Sequence, residues 1–190
     1  TNVFVTNCIL NSACSAIRFG GTNVYVEKCR IYGPCKYLFR GSLTDEEKRD
    51  GVKPELAGHK NNMLSVFTYY GDYSVGIPNR PGNIVVSDCT VDGADKLLHY
   101  NYSGNEMWQL NRPLNNISFE NITATNLLMP SILYGEKNEK VTLNMKNCNI
   151  SMKNDIDNVE LIQAANFDTI TLDNIEIKNY EAEMLIKTWT

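Results

Sequence analysis

The stretches "NVFVTNC" (2–8), "NVYVEKC" (23–29), "NIVVSDC" (83–89) and "NISFENI" (116–122) decide the fold. In each of them apolar side chains stand at alternating positions, which indicates a strand with one buried face. A phrase that recurs along one chain indicates a repeated structural unit. Two weaker copies follow at "TLNMKNC" (142–148) and "TITLDNI" (169–175).

Alignment of the six copies places one residue of each in a common final column. That column holds Cys8, Cys29, Cys89, Ile122, Cys148 and Ile175. The successive gaps are 21, 60, 33, 26 and 27 residues. A repeat of about 20–30 residues with strand-like alternation is typical of a solenoid whose turns stack about 4.8 Å apart. The sequence predicts an all-β fold, a parallel β-helix of about six turns. A β-sandwich or Greek-key barrel is the alternative, although neither requires one repeated phrase.

The rest of the repeat predicts where the chain turns and where it leaves the solenoid. The residue before the final column is predicted to turn, since short polar side chains bond local backbone there. A second apolar stretch follows each copy and predicts a second sheet, at 14–20, 35–41, 95–102, 130–135, 159–166 and 183–188. Residues 1–190 are expected to form a single domain, with long excursions at 43–81 and 103–113. Because the chain begins directly inside a repeat, we expect it to be part of a longer helix.

Composition excludes several classes of function. A formal net charge of −4 argues against nucleic acid as a partner, which would require a basic stripe. No run approaches the ~20 apolar residues that cross a bilayer, so no membrane insertion is expected. Six cysteines are present, but their spacing does not fit a zinc site, and buried free thiols are predicted instead. No metal site and no cofactor are expected.

The phrases "NISFENITATN" (116–126), "NVYVEKC" (23–29) and "SAIRFG" (15–20) resemble the pectin-lyase-like superfamily of right-handed parallel β-helices. Within it, the chain is most similar to the polygalacturonase family of glycoside hydrolases. The resemblance implies a right-handed coil, an extracellular or cell-surface location, and a polysaccharide or oligosaccharide partner. It also implies hydrolysis of glycosidic bonds in an acidic or plant-type polysaccharide.

The catalytic phrases of that family are not found in this chain. Its Asp-Asp phrase corresponds to Cys14-Ser15 in the first turn and Cys35-Lys36 in the second, and no Asn-Thr-Asp or Gly-His-Gly occurs. Arg40 lies near the place of the family's Arg-Ile-Lys arginine, out of register by one. Two alternatives therefore stay open, a non-catalytic glycan-binding module and a structural β-helix of the adhesin or tail-spike type.

Candidate site residues follow if the second sheet forms the wall of a binding cleft. Alternation turns Arg18 outward between Ile17 and Phe19. It also turns His99 outward between Leu98 and Tyr100. A cationic and polar column suited to sugar carboxylates is predicted at Arg18, Arg40, His99 and Tyr134. Sugar-stacking aromatic residues are predicted at Tyr69, Tyr70, Tyr100, Tyr102 and Trp108. The weak catalytic candidates are Asp72, Asp92, Asp95 and, as a general base, His99. The competing interpretations are an ordinary solvated face, a structural histidine and aromatic residues that seal loops.

Overall fold

A computed structural model of the protein describes residues 2–33, 49–51, 63–69, 82–100, 114–153, 160–178, 182 and 184–189. The described part is built from β-strands that pair in parallel. The strands are β1 (Val3–Thr6), β2 (Ile9–Asn11), β3 (Ser15–Phe19), β4 (Thr22–Glu27), β5 (Arg30–Tyr32), β6 (Met63–Tyr69), β7 (Gly82–Ser87), β8 (Thr90–Tyr100), β9 (Asn116–Glu120), β10 (Thr123–Leu127), β11 (Ser131–Tyr134), β12 (Val141–Met152), β13 (Ile162–Ala165), β14 (Phe167–Lys178) and β15 (Ile186–Trp189).

The first row of strands follows the repeated phrases. Strands β1, β4, β7, β9, β12 and β14 pair side by side, all in parallel. One column of paired residues is Val3, Val24, Ile84, Ile117, Leu143 and Ile170, and the next inward column is Val5, Val26, Val86, Phe119, Met145 and Leu172. The register predicted from the alignment is confirmed.

A second row begins immediately after the turn. Strands β2, β5, the start of β8, β10 and the end of β12 form it, and the end of β14 pairs with β12. The sequence predicted no separate row here, because only three to five residues follow each turn. Strands β8, β12 and β14 run through corners, which joins neighbouring rows into one continuous sheet.

The turn between these two rows carries a ladder of side chains in the left-handed backbone region. The prediction of a turn at this position is confirmed, since φ lies between 52° and 55° at Asn7, Lys28, Asp88, Asn121, Asn147 and Asn174. Asparagine tolerates this conformation better than most residues because its short side chain bonds locally. The amide of Asn174 donates to Asn147 Oδ1 at 2.8 Å, and Asn147 donates to Asn121 at 3.2 Å. Asn121 in turn donates to Asp88 at 2.9 Å.

The third row contains a different strand from the one that the sequence predicted. Strand β3 pairs with β6, and β6 pairs with the end of β8. The sequence placed 35–41 at this position, a stretch that lies outside the described residues, and it counted β6 as part of the excursion at 43–81. Strands β11, β13 and β15 form a three-stranded parallel sheet. β11 lies beside β8, because Ser131 Oγ accepts a hydrogen bond from the amide of Leu98 at 3.3 Å.

The rows curl around one apolar core, an arrangement consistent with a β-solenoid. Phe67 stacks on Phe19 with ring centroids 5.6 Å apart and contacts Phe119 at 5.7 Å. The cysteines Cys8, Cys14, Cys29, Cys89 and Cys148 are free. The prediction of buried thiols is confirmed for Cys29, Cys89 and Cys148, whereas Cys8 and Cys14 are half-buried. Burial raises the pKa of the Cys89 thiol to about 11.

Candidate functional site

The third row carries a cluster of polar side chains that come from distant parts of the chain. Arg18 pairs with Thr68, and Thr68 pairs with His99. Ser15 pairs with Ser65, and Ser65 pairs with Lys96. Three strands therefore bring together two positively charged residues, a histidine and three hydroxyl groups. We call this cluster the polar face, defined as Ser15, Arg18, Ser65, Thr68, Lys96 and His99.

Three hydroxyl groups form the buried part of the polar face. Thr68 Oγ1 lies 2.5 Å from Ser15 Oγ and 2.6 Å from Ser65 Oγ, and the two serine oxygens are 3.1 Å apart. Ser65 and Thr68 are buried. A hydroxyl both donates and accepts, so three of them in contact satisfy one another without a charged partner. This closed triangle fixes β6 against β3 beneath the charged residues.

His99 holds a buried nitrogen that has no hydrogen-bond partner among the described residues. That nitrogen is Nδ1. Burial, and then the positive charge of Lys96, lower the pKa of His99 to about 4. The ring is therefore neutral at pH 7, with one nitrogen that donates and one that accepts. An unsatisfied buried polar atom costs about 1–3 kcal/mol, so this ring nitrogen is a local conflict in the fold.

The two positively charged residues differ in exposure. Arg18 is exposed, as predicted from the alternation, and its guanidinium donates to Cys14 Sγ at 3.2 Å. Lys96 is half-buried, and burial lowers its pKa while the neighbouring Asp95 opposes that shift. The polar face thus combines an exposed planar fork with a recessed amine, and both groups bind carboxylates, sulfates or phosphates.

Tyr69 and Asp95 were predicted to reach a ligand, and the structure corrects both predictions. Tyr69 is 0% exposed, and its phenol oxygen donates to the carbonyl oxygen of Tyr134 at 3.2 Å and accepts from its amide at 3.0 Å. It belongs to the core because β6 is a solenoid strand and not a loop. Asp95 is 1% exposed, so its carboxylate has no cleft access. Tyr134 itself is half-buried on β11, where burial raises the pKa of its phenol.

Asp92 and His99 lie on different rows although both belong to β8. Asp92 pairs with Tyr32 and Thr125 in the second row, where it is exposed. Its Oδ1 accepts hydrogen bonds from Thr125 at 2.8 Å and from Asn126 at 2.7 Å. The structure therefore does not bring this carboxylate to the polar face.

Five predicted site residues lie outside the described part of the chain, namely Arg40, Tyr70, Asp72, Tyr102 and Trp108. Tyr100 ends β8, where its backbone pairs with Tyr69. The sequence did not single out Ser65, Thr68 or Lys96. The strand-like stretch 63–69 was the only available signal for the first two, and only its pairing with β3 and β8 shows that they belong to the third row.

No group of three or more His, Cys, Asp or Glu side chains among the described residues is placed to hold a metal ion. In the same part of the chain no helix is long and apolar enough to cross a membrane. A scan of protein-family models, a search of curated proteins and a search of solved structures found no match to this chain.

Proposed function

We propose that the protein is a right-handed parallel β-helix of about six turns that binds an acidic polysaccharide across the polar face. The observation that carries the proposal is the pairing of Thr68 with both Arg18 and His99, which places a guanidinium and a half-buried imidazole on the strands flanking β6, with Lys96 close to the ring. Exposed Arg18, in the same register line as His99, supplies a second cation. An extracellular or cell-surface location fits such a ligand and belongs to the same proposal.

The chemistry of the polar face matches a sugar that carries both hydroxyls and a carboxylate. The Arg18 guanidinium offers two parallel donors to a carboxylate, and Lys96 offers a point charge. A neutral His99 ring has one nitrogen that accepts a hydrogen bond, whereas a cationic imidazole has only donors. Neighbouring strands are about 4.8 Å apart, so an extended polymer along the solenoid axis meets a new strand every few ångströms.

Binding is favoured over hydrolysis by the positions of the two described aspartates that the sequence named as catalytic candidates. An inverting glycosidase uses two carboxyl groups about 6.5–9.5 Å apart across the scissile bond. Asp95 is buried and Asp92 is on another row, so neither serves as such a group on the polar face. Hydrolysis in the manner of a polygalacturonase stays a prediction, one that requires two other carboxylates, and the candidate Asp72 lies outside the described residues.

Calorimetric titration with oligogalacturonides, and with the same oligomers after reduction of their carboxyl groups, tests the proposal. We expect the acidic oligomers to bind and the reduced ones to bind at least about tenfold more weakly, since two charged contacts are lost. Arg18→Ala should weaken binding by a similar factor. Arg30→Ala is the matched control, because Arg30 is also exposed but lies over Tyr32 in the second row.

Three outcomes separate the interpretations. If no acidic oligosaccharide binds, or if Arg18→Ala and Arg30→Ala weaken binding equally, the polar face is not the binding site. Binding without new reducing ends over a day identifies a binding module. Release of new reducing ends restores the hydrolase prediction, and the wild-type chain then needs a pair of catalytic carboxylates other than Asp92 and Asp95.

A further inference from the structure

A second recessed polar cluster lies on the sheet formed by β11, β13 and β15. Glu160, two residues before the start of β13, is only 8% exposed. The side-chain amide of Gln163 donates to Glu160 Oε1 at 2.6 Å. Lys187 on β15 places Nζ 3.9 Å from the same oxygen, and its side chain is 55% exposed. The cluster consists of a buried carboxylate, a neutral donor that orients it and an exposed cation at its rim.

This cluster belongs to the same layer as the polar face. Strand β11 lies beside β8 through the hydrogen bond from the Leu98 amide to Ser131. The Tyr69 phenol crosses from β6 to the backbone of Tyr134 at the other end of β11. Gln163 pairs with Ile132 of β11, and Lys187 pairs with Gln163. A polymer lying along this layer passes from the polar face to Glu160.

The carboxylate of Glu160 has hydrogen-bonding capacity left over. Gln163 and Lys187 both approach Oε1, and Oε2 accepts no hydrogen bond from any described residue. Oε2 is also not enclosed, since His99 Nδ1 is the only such unpartnered atom that is fully buried in the described part. Burial of a carboxylate is costly unless its oxygens are paired. A separation of 3.9 Å is too long for a hydrogen bond, so Lys187 Nζ keeps donors for another acceptor.

We propose that Glu160 Oε2 and Lys187 Nζ together bind two adjacent hydroxyls of a neutral sugar residue. One hydroxyl donates to Oε2 and its neighbour accepts from Nζ, so each protein group meets a complementary partner. A sugar carboxylate is rejected at this point, because the recessed Glu160 repels it. The inference rests on the proposed function and deepens it: the glycan carries an acidic residue at the Arg18 end of the layer and a neutral residue at the Glu160 end.

The test uses simple probes and the intact chain. The methyl glycosides of galactose, glucose, mannose and rhamnose are titrated into labelled protein, and the side-chain amide signal of Gln163 is followed by NMR. Permethylated forms of the same glycosides are the ligand controls, because they keep the ring and lose the donors. Glu160→Gln keeps the shape of the side chain and removes its charge. Glu176→Gln is the matched control, since Glu176 pairs with Lys178 at 3.3 Å on an exposed part of β14.

We expect at least one glycoside to shift the Gln163 amide saturably, and its permethylated form to have no effect. Glu160→Gln should weaken that binding about tenfold, because a charge-assisted hydrogen bond becomes a neutral one. Glu176→Gln should bind like the wild type. If Glu160→Gln unfolds, Lys187→Ala decides instead, and it should weaken binding while Lys178→Ala does not.

The proposal is overturned if no glycoside moves the Gln163 signal, or if the Glu160 or Lys187 variant binds like the wild type. Its failure is distinct from that of the proposed function. Acidic oligomers that bind through Arg18, while no neutral glycoside shifts the Gln163 signal, refute only the neutral-sugar subsite. Neutral glycosides that bind at Gln163 while acidic oligomers do not bind refute only the acidic-polysaccharide proposal.

Discussion

Lowering the pH below 6.5 should destabilise the protein through His99. Burial and the nearby Lys96 lower the pKa of this imidazole from 6.5 to about 4 in the folded chain. Between these two pH values the unfolded chain binds a proton at this position and the folded chain does not. The free energy of unfolding therefore falls as the pH falls from about 6.5 to about 4, and the contribution is fully present above 6.5.

The size of the effect follows from the shift in pKa. One pKa unit corresponds to 1.36 kcal/mol, so a drop from 6.5 to about 4 amounts to roughly 3 kcal/mol once the pH is below 4. At pH 5 the unfolded histidine is almost fully protonated and the folded one is mostly neutral. About 2 kcal/mol of stability is then lost relative to pH 7.5.

Urea unfolding at pH 7.5 and pH 5 measures this loss when the wild type is compared with His99→Gln. Other groups titrate in the same interval, so the relevant quantity is the difference between the two proteins in their pH-dependent loss. His59→Gln is the matched control, since the chain has two histidines and His59 lies outside the described residues. NMR titration of the two imidazoles gives a direct reading. A His99 signal that titrates near 6.5, or a His99→Gln variant with the wild-type pH dependence, refutes the buried neutral ring.

Two further predictions concern the framework that holds the polar face. Asn147→Ala should lower the free energy of urea unfolding by about 2 kcal/mol, because alanine is strained at φ 52° and both ladder hydrogen bonds are lost. Asn147→Gly should lose only about 1 kcal/mol since the strain is absent, and equal losses would contradict this account. Tyr69→Phe should lose about 1–3 kcal/mol in thermal unfolding, because the Tyr134 amide is left without its phenol partner. A change within a few tenths of a kcal/mol would exclude that role.

The sequence predicted the first row of strands because repetition and alternation act together there. Each copy of the phrase supplies the same inward positions, so a single alignment fixes the register of every pair, as between Val24 and Ile84. The turn was predictable for a related reason. A residue with positive φ follows the same number of strand residues each time, and Asn121, Asn147 and Asn174 are the residue type that tolerates it.

The third row was harder to predict because two stretches competed for one position. Both 35–41 and 63–69 are short and apolar, and local pattern does not say which of them pairs with β3. The structure places β6 there, which turns Tyr69 into the core and Thr68 toward Arg18 and His99. Asp95 shows a second reason why the alternation did not predict which side chains are exposed. Strand β8 passes through a corner between Asp92 and His99, so alternation counted from either end fails at the corner.

The polar face contains a conflict that stacking of the solenoid does not require. In the first row the inward columns repeat apolar side chains, as stacking of similar turns requires. The third row aligns Arg18, Thr68 and His99. A ring nitrogen buried without a partner lowers stability, and no column of stacked strands needs one. Local conflicts of this kind are expected at functional sites, where binding offsets the loss. The same reasoning applies to the buried carboxylate of Glu160. It predicts that a bound ligand raises the thermal stability of the wild type more than that of His99→Gln or Glu160→Gln, in which one of the two conflicts has been removed.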